Sequence, residues 1–251
     1  LDGPFGLVAD ATGLALLASR DNDRVFQVTP GGVSQILDAS GGGTGSALDG
    51  PVSIVKDGLG RIFVAGAASD DVFRIAPGGG VSLWMGPAGD GQHALDGPFS
   101  LAAAPDGTLF LASLNTNRVF RVSPGGAASS CLGPEGDGVG NPLLAPSALA
   151  LSPDGSLFVA SRENHRVFRV APGGAVALVM GPAGDGVHPL LRPNAVAVDE
   201  AGMLYVSGQD SDNIFRVSPL GVVSQIVSPA GDGLGSGLDR PRWLAVDPFG
   251  N

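Results

Sequence analysis

The residues with the most evident chemistry are carboxylates that recur. Asp90, Asp137, Asp185 and Asp232 each sit inside a Gly-Asp-Gly segment, and further aspartates follow or stand in register at Asp2, Asp49, Asp96 and Asp239. Carboxylates repeated at one point of a repeated unit are brought to one face, where they would form a ring attractive to Ca²⁺, an ion that takes several oxygen ligands. The competing reading is local: a short acidic side chain accepts main-chain N–H groups of its own turn. A residue present in every unit is most simply a requirement of the unit, so the second reading is favoured. Asp90, Asp137, Asp185 and Asp232 stand as the metal candidates, and no other cofactor motif is present. His93 and His188 each follow a linker aspartate by three residues. A histidine beside a carboxylate suits Zn²⁺, but these two segments are two units apart and match no metal-site spacing.

Arginine is the other recurring charge. Arg74, Arg121, Arg169 and Arg216 each follow a phenylalanine, with Gln27 at the fifth such place, and Arg24, Arg118 and Arg166 precede the same run. Their stems are expected to pack between elements while the guanidinium groups reach carboxylates or carbonyls. Arg192, Arg240, Arg242 and Trp243 depart from this pattern. They gather near the starts of two apolar runs, and the Arg–Trp combination is enriched at interfaces, so these four are the interface candidates. Lys56 is the only lysine. The net charge of −10 repels a phosphate backbone, which argues against nucleic acid and leaves RNA binding to a local basic patch alone. Cys131 is the sole cysteine, excludes an intrachain disulfide, and falls in a strand-like run as a small buried hydrophobe. No Gly-x-Ser-x-Gly, phosphate-loop or His-Glu-x-x-His signature occurs. Apolar runs are strand-sized, so no membrane-spanning segment is expected.

These side chains are positioned by a repeat. Pro4, Pro51, Pro98, Pro146, Pro193 and Pro241 precede apolar runs at steps of 47 or 48 residues, and Phe26, Phe73, Phe120, Phe168 and Phe215 keep the same period. Each unit holds four strand-sized runs separated by turn residues. In the third unit the runs are 99–104, 109–113, 118–123 and 127–132, divided by Pro105-Asp106-Gly107, Asn115-Thr116-Asn117 and Pro124-Gly125-Gly126. Such dipeptides supply the positive φ of tight hairpins. The 41 glycines and 20 prolines are what this many turns demand.

The runs are apolar almost throughout, as in Leu157-Phe158-Val159-Ala160. Continuous apolarity predicts sheets covered on both faces. Small residues at Ala103, Ala150, Ala197 and Ala245 suit a first strand lining a crowded centre. The fold class predicted is an all-β propeller of four-stranded blades, in a single domain over 1–251. The blades run approximately 1–47, 48–94, 95–142, 143–190 and 191–237, with a partial sixth at 238–251. A right-handed β-solenoid is the alternative, but its repeats are shorter and lack four turn-separated runs.

The segment Asn164-His165-Arg166-Val167-Phe168-Arg169-Val170 resembles the signature of NHL repeats, which carry an Asn-His-Leu-like triplet before the third strand. Asn22-Asp23-Arg24-Val25-Phe26, Asn117-Arg118-Val119-Phe120 and Asp212-Asn213-Ile214-Phe215 are further instances, and the Pro-Ala-Gly-Asp-Gly linkers resemble a bacterial type of the same repeat. Blade 2 departs with Ser69-Asp70-Asp71-Val72, as does the first linker, Gly41-Gly42-Gly43-Thr44-Gly45. The resemblance covers the whole chain. It implies a six-bladed propeller of which five blades and one strand are present, the missing strands leaving open edges that invite pairing. It also implies a binding or scaffolding role with a protein partner in a larger chain or assembly. An extracytoplasmic site (secreted, periplasmic or organellar) fits the habit of the family. The alternative it allows is a metal-dependent hydrolase or lyase, lactonase-like or amidating-lyase-like. Few inward carboxylates beyond Asp10, Asp199 and Asp247 favour that chemistry, and all three fall at hairpin turns.

Overall fold

A computed structural model describes residues 2–10 and 12–246. The turn of the sixth unit, with Asp247, lies outside the described residues. Twenty strands build five antiparallel sheets, each of four strands in sequence order. Blade 1 holds β1 (Pro4–Ala9), β2 (Ala15–Ser19), β3 (Arg24–Thr29) and β4 (Gly32–Leu37). Blade 2 holds β5 (Pro51–Lys56), β6 (Ile62–Gly66), β7 (Asp71–Ile75) and β8 (Val81–Met85). Blade 3 holds β9 (Pro98–Ala103), β10 (Leu109–Ser113), β11 (Arg118–Val122) and β12 (Ala128–Leu132). Blade 4 holds β13 (Pro146–Leu151), β14 (Leu157–Ser161), β15 (Arg166–Val170) and β16 (Val176–Met180). Blade 5 holds β17 (Pro193–Val198), β18 (Leu204–Gly208), β19 (Asn213–Val217) and β20 (Val223–Val227). The sheets are the blades of a β-propeller. The chain clusters into two compact units divided between Ser130 and Cys131.

Within each unit the core lies between blades rather than inside one. Phe63, Ala65, Val72 and Met85 of blade 2 pack on Leu101, Leu109, Leu111, Phe120 and Val122 of blade 3, with the linker residue Leu95 among them. In the second unit Phe158, Ala160, Val167 and Met180 meet Val196, Leu204, Val206, Phe215 and Val217, with Leu190 in the corresponding place. Successive residues of a strand point to opposite faces. A blade covered on both sides therefore needs apolar residues at consecutive positions, which is the unbroken pattern of the sequence.

Blade 1 is the exception. Leu7 is 65% exposed, while its counterparts Ile54, Leu101, Leu149 and Val196 are at most 8% exposed. Phe26 is half-buried, where Phe73, Phe120, Phe168 and Phe215 are fully buried.

The fourth strand of the blades carries a β-bulge. In blade 2 the ladder pairs Phe73 with Leu83 and Val72 with Met85, skipping Trp84. In blade 4 it pairs Phe168 with Leu178 and Val167 with Met180, skipping Val179. A bulge re-aims the extra side chain. Cys131 stands at the matching position of blade 3. It is half-buried rather than fully buried as expected, because the outermost strand of a blade lies near solvent.

Candidate functional site

The triplet that marks the repeat joins consecutive blades. Its central residue lies in the left-handed region in every blade: Asp23, Asp70, Asn117, His165 and Asp212 have φ between 49° and 61°. Short polar side chains tolerate that conformation best. From there the side chain of Asp23, Asp70, His165 or Asp212 accepts a main-chain N–H at the start of the next blade. Asp23 Oδ1 accepts from Gly50 at 2.8 Å, Asp70 Oδ1 from Gly97 at 2.7 Å, His165 Nδ1 from Arg192 at 3.0 Å, and Asp212 Oδ1 from Arg240 at 2.8 Å. Blade 2 departs from the triplet in sequence yet keeps the geometry, because Asp70 supplies the acceptor. Because His165 Nδ1 accepts, the proton of the neutral ring resides on Nε2.

The linker aspartates also hold main chain. Asp90 Oδ1 accepts the N–H groups of Gln92 at 3.0 Å and His93 at 2.7 Å, and Oδ2 accepts from Ser130 of β12 at 3.1 Å. Asp185 repeats this with Val187, His188 and, across to β20, Gln225. His93 Nδ1 lies 3.0 Å from Asp90, and His188 Nδ1 lies 3.0 Å from Asp185. Burial pushes the Asp90 carboxyl up, but the hydrogen bonds from His93 and the backbone outweigh it and hold the group at about 2. Asp185 is lowered as well, chiefly by its bond to His188. Asp137 bonds Val139 and Asn141 of its own loop, and Asp232 bonds Leu234 and Ser236. Each of the four candidate metal aspartates thus serves its own linker. Among the described residues, no three His, Cys, Asp or Glu side chains gather into a group able to hold a metal.

The four interface candidates form a different kind of place. The residue that starts each inner strand is left-handed throughout, and blades 1, 2 and 3 use Gly3, Gly50 and Gly97 there. Blade 4 uses Ala145, but the next two positions hold Arg192 at φ 49° and Arg240 at φ 47°. A long side chain in that conformation costs roughly 1 kcal/mol or more. Arg192 donates from Nη2 to Glu163 Oε1 at 2.8 Å and from Nη1 to Asp210 Oδ2 at 3.5 Å. Beside it stands Arg162, whose pKa is pushed down by burial and by the charge of Arg192, with Arg242 adding to the effect and Glu163 and Asp210 opposing it. Sequence reasoning missed Arg162, because only the tertiary fold brings the residue after β14 next to the start of β17. The Nε atoms of Arg162 and Arg192 are buried without a hydrogen-bond acceptor among the described residues.

Arg240 is placed by its main-chain bond to Asp212, and the carbonyl of Arg242 accepts from Asn194 Nδ2 at 3.1 Å. The segment 238–246 therefore begins as the other blades do. It forms no ladder among the described residues, since an inner strand is defined by pairing with the second strand of its own sheet. Trp243 follows, 60% exposed. At its register the other blades carry Gly6, Ser53, Ser100, Ala148 and Ala195. A Cβ on Gly6 would meet Val52 O at 3.0 Å, so in blade 1 this place is closely packed.

Comparison with known proteins agrees with this architecture. The family profile described as the Teneurin NHL domain matches residues 125–230. A search of curated protein sequences returns no significant match. Among solved structures, virginiamycin B lyase from Staphylococcus aureus superposes with a TM-score of 0.74 at 15% identity, over 96% of this chain and 73% of that one. A streptogramin B lyase gives 0.70 at 14% identity, over 91% and 70%. A chain of the nidogen/laminin complex gives 0.68 at 16% identity, over 89% and 78%. At these identities the likeness concerns the fold. The protein is a β-propeller, and its residues 125–230 are similar to an NHL domain. Among the described residues no helix is long and apolar enough to cross a membrane.

Proposed function

We propose that the chain is a protein-binding propeller that meets its partner through Arg162, Arg192, Arg242 and Trp243, at the strand-start end of blade 5. The observation that carries this reading is the left-handed Arg192 and Arg240, where blades 1 to 3 use glycine. Chemistry present in every blade serves the fold. A strained, bulky residue at a position where glycine costs nothing points to a use outside the fold. Guanidinium groups crowded together, with unmet donors and an exposed indole alongside, have the composition of an interface hot spot. They suit a partner presenting a carboxylate next to an apolar group. The propeller of the nidogen/laminin complex supports the reading as a fold found in a protein–protein assembly.

The test compares wild type with Arg192→Gly and Trp243→Ser in affinity capture from the native source. A partner retained by wild type and lost by both variants, with folding intact, sustains the proposal. Equal recovery by all three sinks it. The catalytic reading draws on the fold shared with the two lyases. Elemental analysis of the full-length native protein addresses it: one tightly bound metal per chain would favour catalysis over docking.

A further inference from the structure

The junction of blades 2 and 3 is filled by its own chain. Arg61, at the start of β6, donates from Nε to Asp57 Oδ2 at 2.6 Å, from Nη1 to the Pro124 carbonyl at 3.2 Å, and from Nη2 to the Gly107 carbonyl at 3.0 Å. Its guanidinium lies 5.4 Å from the Phe63 ring centroid and 5.8 Å from that of Trp84, the bulged residue of β8. Arg74 lies 4.6 Å from the same indole, and Phe63 meets it edge-on at 5.7 Å. One aromatic ring thus lies within about 6 Å of two cations, and one of those cations is seated on two carbonyls.

The junction of blades 4 and 5 repeats the backbone with smaller residues. Phe158 and Arg169 keep the places of Phe63 and Arg74, but Ser156 stands for Arg61 and Val179 for Trp84. What remains is a cavity of about 550 Å³ lined by Phe158, Arg169, Val179, Glu200, Gly202 and Pro219, among others. That size lies within the range of small-molecule sites. Gly202 and Pro219 are the counterparts of Gly107 and Pro124, the two residues whose carbonyls receive Arg61. Arg169 is held by Asp154 at 2.7 Å and Ser156 Oγ at 2.9 Å. With Glu200 also on the wall, carboxylates outnumber the single guanidinium.

We propose that this cavity binds a small aromatic cation, with its ring in the place Trp84 fills in the other junction and its charged group on the carbonyls of Gly202 and Pro219 beside Glu200. The ring lies against the Arg169 guanidinium and meets Phe158 edge-on, as the indole does with Arg74 and Phe63. The site is independent of the arginine cluster. It is built from the turns that join first to second and third to fourth strands, at the opposite end of the blade.

The test uses the full chain with two probes: tryptamine, for a free ligand, and acetyl-Trp-Arg-amide, for a chain-borne one. Calorimetry should show one site for the better probe, and the ranking tells which source is used. Val179→Trp with Ser156→Arg, which recreates the filled junction, should weaken binding by about tenfold or more. Methyl NMR of wild type serves should that variant misfold: shifts should centre on Ala177, Val179, Ala201 and Leu204. Arg192→Gly should leave probe binding unchanged, so failure here is separable from failure of the docking surface. No binding of either probe at millimolar concentration, unchanged affinity in the filled variant, or shifts confined to other blades would overturn the proposal.

Discussion

Two blade junctions share one backbone plan and differ in what fills it. Between blades 2 and 3, Arg61 and Trp84 close the space and tie the turns at Gly107 and Pro124 together. Between blades 4 and 5, Ser156 and Val179 leave it open. The buried apolar seams are nearly the same: Phe63 with Phe120 in one, Phe158 with Phe215 in the other. The repeat therefore needs the seam but not the plug. The plug is particular to blade 2: Thr108 and Cys131 stand at the places of Arg61 and Trp84 in blade 3, and Ser156 and Val179 in blade 4, where a shaped space remains. The reverse holds for the strand-start position. Glycine stands there in blades 1 to 3, and the arginine of a later position, Arg192, is one the proposed docking surface uses.

The sharpest way to break this comparison is to exchange the plugs. Arg61→Ser with Trp84→Val should cost about 3 to 5 kcal/mol, because it opens a cavity and leaves the buried Asp57 carboxylate without its partner. The reciprocal Val179→Trp with Ser156→Arg should be neutral or stabilising by about 1 kcal/mol if the indole fits as it does at Trp84. Urea unfolding reads both. Small, equal changes in the two junctions would show that the plug is incidental in both.

A second contrast is between linkers. Asp90 joins its loop to β12 as well as to itself, whereas Asp137 bonds its own loop among the described residues. Asp90→Ala should cost about 2 kcal/mol, and Asp137→Ala a fraction of that. The Asp90 pKa, held at about 2 against an ordinary value of 3.8, fixes the pH dependence. A carboxyl with a depressed folded-state pKa contributes stability that is fully present above its ordinary value. That stability falls away as pH drops through about 2. Asp90→Ala should flatten the stability profile between about pH 4 and pH 2, measured by thermal unfolding across that range. A profile as steep as that of wild type would place the acid sensitivity elsewhere.

The smallest expected effect concerns Arg192. Arg192→Gly removes a left-handed strain of roughly 1 kcal/mol and loses two partly exposed ion pairs, each worth a few tenths of a kcal/mol. The thermal midpoint should stay level or rise slightly, even as partner capture is lost. A clear drop in stability would mean that Arg192 is structural, and the contrast with Gly3, Gly50 and Gly97 would lose its meaning.

The four-run plan, the period and the placement of turns were legible from residues alone, because strand alternation and turn chemistry are local and the repeat shows them five times. That the linker aspartates accept N–H groups of their own turns was legible for the same reason, since that contact is local; the bonds of Asp90 to Ser130 and of Asp185 to Gln225 in the next blade were not. The joining role of the triplet was not. Asp23, Asp70 and His165 find their acceptor duty 27 residues away, in the next blade, and nothing in the triplet names that partner. Nor could the sequence show that Blade 2 keeps the geometry despite its altered triplet.

By itself, then, the sequence determined the four-strand order of the five blades, the two-sided burial of the blades, and the glycine turns that need a positive φ. All of these follow from φ/ψ preference and from hydrophobic period along a short stretch of chain. The tertiary structure alone decided that Arg162 stands beside Arg192, that two guanidinium groups meet the ring of Trp84, and that Val179 faces a cavity where Trp84 fills one. Those facts depend on how blade meets blade, and side chains brought together across a seam carry no mark of it in their spacing along the chain.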